Sequence, residues 1–278
     1  MPVPSTSVPQ STRLTGATAW FAAVLLAGCA PDNAAAPRMA RPSAQLTAAR
    51  VQAAVSQQSP IDIEGSDLQI VKKRDVAPLT FQYATNATVD LENTGSPGEE
   101  STVRANVTPG DAVLHVGDTD YRLVQFHWHI PAEHEVDGVR YPMEMHLVHN
   151  GADGSTLVVG VFLRAGAANA ILAPMFSQLP PQSGGHASVS GINIAALIPR
   201  HDESARYTGS LTTPPFTEGV HWIVLVPPIE LSHSEIAEFG ALFPEGNARE
   251  VQPLNGRTVF TDDHNFEHDA GLQGKLIH

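Results

Sequence analysis

From Gln57 onward the apolar positions of this chain alternate with polar ones at the two-residue period of strands more often than at the 3.6-residue period of helices. The runs Val113–Val116, Tyr121–Ile130, Met143–His149, Leu157–Leu163 and His221–Val226 are rich in Val, Ile, Leu and aromatic residues and are separated by Gly, Pro, Asn and Asp, so each is expected to be a strand. Asp137-Gly138 and Asp153-Gly154 supply turn chemistry between successive runs, which makes at least part of the sheet antiparallel hairpins. Helical signals are few. Ala168–Gln178 is one, and Ser232–Phe243 is another, opened by a Ser cap with Glu235 three residues later in capping-box spacing. No internal repeat is visible.

The pattern upstream is different. Residues Ala30 to about Ser56 are rich in Ala, Pro and Ser, which reads as a tether with a short helix around Ala44–Val55. Before it, Ala17 to Gly28 form an apolar run of about a dozen residues, short of the roughly 20 that span a bilayer but suited to the core of a signal peptide. Leu26-Ala27-Gly28-Cys29 resembles the lipobox of bacterial lipoproteins, in which cleavage before the Cys leaves it as a lipid-modified first residue. An ordinary signal peptide with an incidental Cys is the alternative, and Arg13 is the one positive residue ahead of the apolar run. The chain thus divides into a signal at 1–28, a tether at 29–56 and a folded domain at 57–278. An extracytoplasmic, lipid-anchored location in the periplasm or cell envelope follows, with the outer membrane favoured because Ala30, not Asp, follows Cys29.

Composition narrows the chemistry. The formal charge of −13 over 278 residues, with 16 Lys and Arg in all, argues against general nucleic-acid binding, which needs clustered basic residues. Thirteen His against a single Cys mean that any metal site must be built from imidazole and carboxylate.

Gln125-Phe126-His127-Trp128-His129 sets two imidazoles two residues apart, and on a strand both rings point to one face. On the next strand Glu144, His146 and Val148 share a face and His149 takes the other. A chain reversal around Asp137-Gly138 brings His146 beside the first pair. Three His from adjacent strands, with a fourth position left for water, describe a catalytic zinc site better than a closed structural one. The bland reading of the His-x-His pair is two half-buried structural histidines, and of Glu144 an exposed ion-pairing residue. His134, His149, His186, His201 and His233 read as structural or surface residues. Gln125 and Glu144 share a face with the histidines that they would orient.

Five separated blocks carry a specific resemblance. Gln58-Ser59-Pro60-Ile61-Asp62-Ile63, Gln125 to His129 with Glu133-His134, Glu144 to His149, Tyr207-Thr208-Gly209-Ser210-Leu211-Thr212-Thr213-Pro214-Pro215 and Val251-Gln252-Pro253-Leu254-Asn255 are similar to signature blocks of α-carbonic anhydrases. They occur in family order over roughly residues 57–262. The resemblance implies a mostly β (α+β) single domain on a large twisted, mostly antiparallel sheet with few short helices. It implies a zinc lyase that reversibly hydrates carbon dioxide to bicarbonate through a zinc-bound hydroxide. By the match, His127, His129 and His146 are the zinc ligands, Glu133 and Thr212 orient the hydroxide, and Gln125 and Glu144 orient ligands. Val148, Val158, Leu211 and Trp222 fall in the apolar pocket for carbon dioxide. Three imidazoles also accept cobalt or iron.

The chain departs from the family in three places, one of them the Trp-Gly-Tyr element that usually opens the domain, which is absent since the Trp residues are Trp20, Trp128 and Trp222. Secreted members commonly carry one disulfide, but Phe216 stands at its second position and no Cys lies between Cys29 and Gln58. The His that shuttles protons in fast members is missing from the comparable stretch Leu91–Val103. Proton release is therefore expected to limit turnover, with Glu99 and Glu100 poorly matched to a relay near pH 7 because an unperturbed carboxylate has a pKa near ~4. The alternatives are a non-catalytic binding module of the same fold at the cell envelope, which loss of a ligand His would mark, and a zinc buffer, which a His-rich tract would mark. Neither mark is present.

Overall fold

The computed structural model describes residues 56–95, 101–263 and 266. The expected signal, tether helix and Cys29, together with Glu99 and Glu100, lie outside them. The strands, in chain order, are β1 (Asp62–Ile63), β2 (Leu68–Ile70), β3 (Leu79–Tyr83), β4 (Ala87–Asn93) and β5 (Val103–Val107). There follow β6 (Ala112–Val116), β7 (Thr119–His129), β8 (Glu135–Val136), β9 (Val139–Arg140) and β10 (Met143–Gly151). The last are β11 (Thr156–Ala165), β12 (His186–Ile192), β13 (Ser204–Ser210), β14 (Glu218–Leu231) and β15 (Val259–Thr261). Each strand expected from the sequence is present, lengthened by one to eight residues where the pairing continues past the apolar run.

The main sheet runs in the order β12-β4-β5-β7-β10-β11-β14-β13-β15-β2, with β3 and β6 attached through β7. Most neighbours are antiparallel; β11–β14 and β15–β2 are parallel. A small second sheet, β1-β8-β9, joins β1 to the two strands that lie between β7 and β10 in the chain. Asp137 and Gly138, which join β8 to β9, both have positive φ (49° and 72°), the backbone that a tight two-residue hairpin requires and that Asp-Gly supplies at little cost.

Alternation on the central strands separates two buried clusters. Phe126, Trp128, Met143, Met145 and Leu147 enter one, with Val159, Val161, Leu225 and Phe239. Val158, Phe162, Tyr207, Trp222 and Val224 enter the other, on the face from which His127, His129 and His146 also project. Burying a large apolar side chain contributes roughly 1.5–3 kcal/mol, so the strands that carry the histidines are fixed by their other face.

Among the described residues, α1 (Ala173–Phe176) and α2 (His233–Gly240) are short α-helices. The second has the expected cap, with Ser232 accepting from the Glu235 amide and Glu235 accepting from the Ser232 amide. The first is much shorter than Ala168–Gln178. Asn169 Oδ1 accepts from the amides of Ile171 and Leu172, and the Asn169 amide is taken by Glu235, so side chains satisfy the backbone groups that an earlier helical start would need. Among the described residues no helix is long and apolar enough to cross a membrane.

Candidate active site

Antiparallel pairing of β7 with β10 sets His146 directly opposite His127. With His129 two residues along, the three rings form a compact triangle, their centroids 5.0 Å (His127–His129), 5.4 Å (His127–His146) and 4.7 Å (His129–His146) apart. One nitrogen from each lies within 4.8 Å of the others. His129 and His146 are buried and His127 is the most open of the three.

Each imidazole is fixed through its second nitrogen. His127 Nδ1 is 2.9 Å from Gln125 Oε1, and His129 Nδ1 is 3.1 Å from the Asn247 carbonyl. His146 Nε2 stands 2.9 Å from Glu144 Oε1. These contacts choose the tautomers, leaving lone pairs on Nε2 of His127 and His129 and on Nδ1 of His146. Burial holds all three pKa values below the usual imidazole range, His129 at about 4, so the rings are neutral at pH 7. Nε2 of His129 is buried without a hydrogen-bond partner, a position that favours a cation.

Glu144 does more than hold one ligand. Its carboxylate accepts from the amides of Glu133 (2.9 Å) and His134 (2.8 Å) and lies 2.8 Å from His134 Nδ1. Burial opposes its charge, but the neighbouring His134 and His146 outweigh that and keep its pKa well below the usual carboxylate range. His134 Nε2 continues the chain to the Tyr207 hydroxyl (2.7 Å), which meets Ser59 Oγ at 2.9 Å.

Glu133 and Thr212 are both buried and hydrogen-bonded through their side chains. Burial pushes the Glu133 pKa up to about 7, against the pull of His146, the Thr212 hydroxyl and the Arg249 amide, which donates to Oε1 at 2.8 Å. Beside the imidazoles is an apolar wall. Val148 pairs across the sheet with Val158, and Val158 with Trp222. Leu211 packs on the same cluster. The Trp222 ring lies 4.9 Å from that of His146, and its Nε1 donates to the Ser210 carbonyl at 2.9 Å.

Residues 47–263 match the sequence profile of a family described as eukaryotic-type carbonic anhydrase. The chain belongs to that carbonic anhydrase family. A carbonic anhydrase of Nostoc sp. is 41% identical over 204 residues, covering 73% of this chain and 74% of the relative. One from Pectobacterium carotovorum is 37% identical over 203 residues, 73% and 78% of the two chains. Among solved structures, the α-carbonic anhydrase of Thermovibrio ammonificans in complex with the inhibitor sulfanilamide superposes with a TM-score of 0.67 at 34% identity, covering 73% of this chain and 86% of that one. The α-carbonic anhydrase of Photobacterium profundum gives 0.66 at 34% identity, with 74% and 89% covered. The chain is therefore an enzyme of the carbonic anhydrase class.

Around this carbonic anhydrase site the remaining histidines fall away. His149 is buried in the opposite cluster, 2.5 Å from the Tyr83 hydroxyl. His186 and His201 carry exposed carboxylate contacts, to Asp90 and Glu203. His134 is neither a surface residue nor a bystander, since it lies fully buried behind Glu144. Sequence reasoning missed Asn247 and Arg249. Asn247 acts through a carbonyl and Arg249 through an amide, groups that every residue except Pro (for the amide) possesses, so no spacing of side chains could have pointed to them.

Proposed function

We propose that His127, His129 and His146 hold a zinc ion and that the site built on them hydrates carbon dioxide reversibly. The partnerless Nε2 of His129, one of three clustered neutral imidazoles whose other nitrogens face Gln125, the Asn247 carbonyl and Glu144, is the observation that carries this reading. The donor set fits zinc: three neutral nitrogen ligands and room for a fourth, with Gln125, the Asn247 carbonyl and Glu144 setting ring orientation. Zinc held there would supply a nucleophile at neutral pH by acidifying water, as it does in carbonic anhydrases generally.

The other residues follow from their bonding capacity. A Thr hydroxyl has one proton, and if Thr212 gives it to Glu133 it can only accept from the attacking oxygen. That fixes the direction of the nucleophile's lone pair and disfavours anions with no proton to donate. Val148, Val158, Leu211 and Trp222 offer an uncharged substrate an apolar surface beside the ligands and hold it close to the point of attack. Bicarbonate, once formed, has no cationic side chain among these wall residues to retain it.

Two further parts of the reading rest on sequence. The stretch Leu91–Val103 carries no His, so we take proton release to limit turnover in weak buffer. Leu26-Ala27-Gly28-Cys29 supports lipidation at Cys29 and a tethered enzyme at the cell envelope, in the periplasm, with the outer membrane favoured. Metal analysis with carbon dioxide hydration on one preparation tests the site. Incorporation of palmitate label that a Cys29→Ser variant loses would support the anchor, and label retained by that variant would remove it.

A further inference from the structure

The turn that carries Thr212 is short and lies against the N-terminal edge of the domain. Within it the Leu211 amide donates to the Thr217 carbonyl (2.9 Å) and the Phe216 amide to the Thr213 carbonyl (2.8 Å). Phe216 adopts φ 56°, a left-handed conformation that bulky residues rarely take. Glycine would adopt it without cost, so the Phe216 ring is held here against a backbone penalty. The Arg249 guanidinium stacks over that ring, its Cζ 3.8 Å from the centroid. The same guanidinium donates to Gln58 Oε1 (3.0 Å) and to the Ser59 carbonyl (2.7 Å). Gln58 Nε2 returns to the Phe216 carbonyl (3.1 Å) and to Glu218 Oε1 (3.0 Å), which also accepts from the Gln57 amide (2.9 Å). The single Cys of the chain is Cys29, so no disulfide shares this task.

Arg249 has a second attachment: its amide donates to Glu133 Oε1 at 2.8 Å. One residue thus holds Glu133 through its backbone and the Thr212 turn through its side chain. We propose that the Arg249–Phe216 stack is a positioning device that sets Thr212 against Glu133. The inference rests on the roles given to those two residues above. A planar guanidinium on an aromatic face is a directional contact that also leaves its in-plane N–H groups free for Gln58 and Ser59, which an ammonium could not reproduce.

Phe216→Gly separates this role from simple loop stability, because glycine relieves the left-handed backbone while removing the ring. Phe216 borders an open cavity of 530 Å³ that is also lined by Asn247, Ala248 and Gln252, so its removal enlarges an existing space instead of emptying the core. We expect the variant to retain zinc and fold, to lose roughly tenfold in kcat/KM, the parameter that reports the attack on carbon dioxide when proton release limits kcat, and to exchange the Leu211 and Phe216 amide hydrogens faster. Azide, an anion without a proton, should bind several-fold tighter by calorimetry. Phe216→Tyr, which keeps the face, should restore all of these, and Arg249→Lys should mimic the loss. Unchanged amide exchange and azide affinity in Phe216→Gly would overturn the inference even if the melting temperature fell. A parent protein that neither hydrates carbon dioxide nor binds azide would overturn the functional reading instead, and amide exchange would still decide whether the stack holds the turn.

Discussion

Glu144 and His134 meet side by side, carboxylate to Nδ1 at 2.8 Å, with both side chains fully buried. The same carboxylate orients His146 and caps two backbone amides, so its loss leaves several buried groups unpaired at once. Breaking such a buried pair by removing one partner costs about 3–5 kcal/mol. Glu144→Ala is therefore expected to lower both the melting temperature and zinc affinity. Gln125→Ala, at a half-buried position with a single ligand contact, should weaken zinc by about 10–100-fold with little loss of stability. Chelator competition and thermal melting on the two variants check the contrast; equal stability losses would contradict it.

Thr212→Val keeps the shape of the side chain and removes the hydroxyl that bonds Glu133. Hydration should fall about a hundredfold, the scale of one lost directed hydrogen bond to the reacting oxygen, while zinc content stays at the parent level. Steady-state rates with metal analysis of the same sample read the result, and a rate near the parent's would remove Thr212 from the mechanism.

Acid stability should depend on His149. Burial lowers its pKa to about 4, while its unfolded value is near the usual 6.5. The neutral ring is the folded form, contacting the Tyr83 hydroxyl through Nε2 and the Leu157 carbonyl through Nδ1. The unfolded chain therefore binds the extra proton first. This contribution is complete above pH 6.5, declines as pH falls toward 4, and does not change further below it, amounting to about 3 kcal/mol. Urea denaturation of zinc-free protein at several pH values should show a shallower decline for His149→Gln than for the parent; parallel curves would contradict the assignment.

Much of this was legible in the sequence because alternation constrains both faces of a strand. Phe126 and Trp128 must be inside, and that alone sends His127 and His129 together to the other face. Met143, Met145 and Leu147 do the same for His146. The reading was incomplete where structure is made by backbone groups or by distant partners. Asn169 delays the start of a helical pattern through its own carboxamide and through Glu235, far along the chain. The Asn247 carbonyl and the Arg249 amide reach the site because β14 and the turns after α2 return to it, which no local pattern encodes. His134 reads as ordinary until Glu144, Tyr207 and Ser59 are seen to converge on it.

With no His in Leu91–Val103, proton release should depend on buffer. Raising an imidazole-type buffer at constant pH and ionic strength is expected to increase kcat severalfold toward a plateau, with kcat/KM unchanged. A kcat independent of buffer would show that another group on the protein carries the proton.

The most direct test of the central claim is stopped-flow carbon dioxide hydration on purified protein whose zinc is quantified in the same sample, beside a His129→Ala variant. The account predicts about one zinc per chain with rapid hydration in the parent, and loss of both in the variant. A parent that carries one zinc per chain yet hydrates no carbon dioxide in any buffer would contradict it.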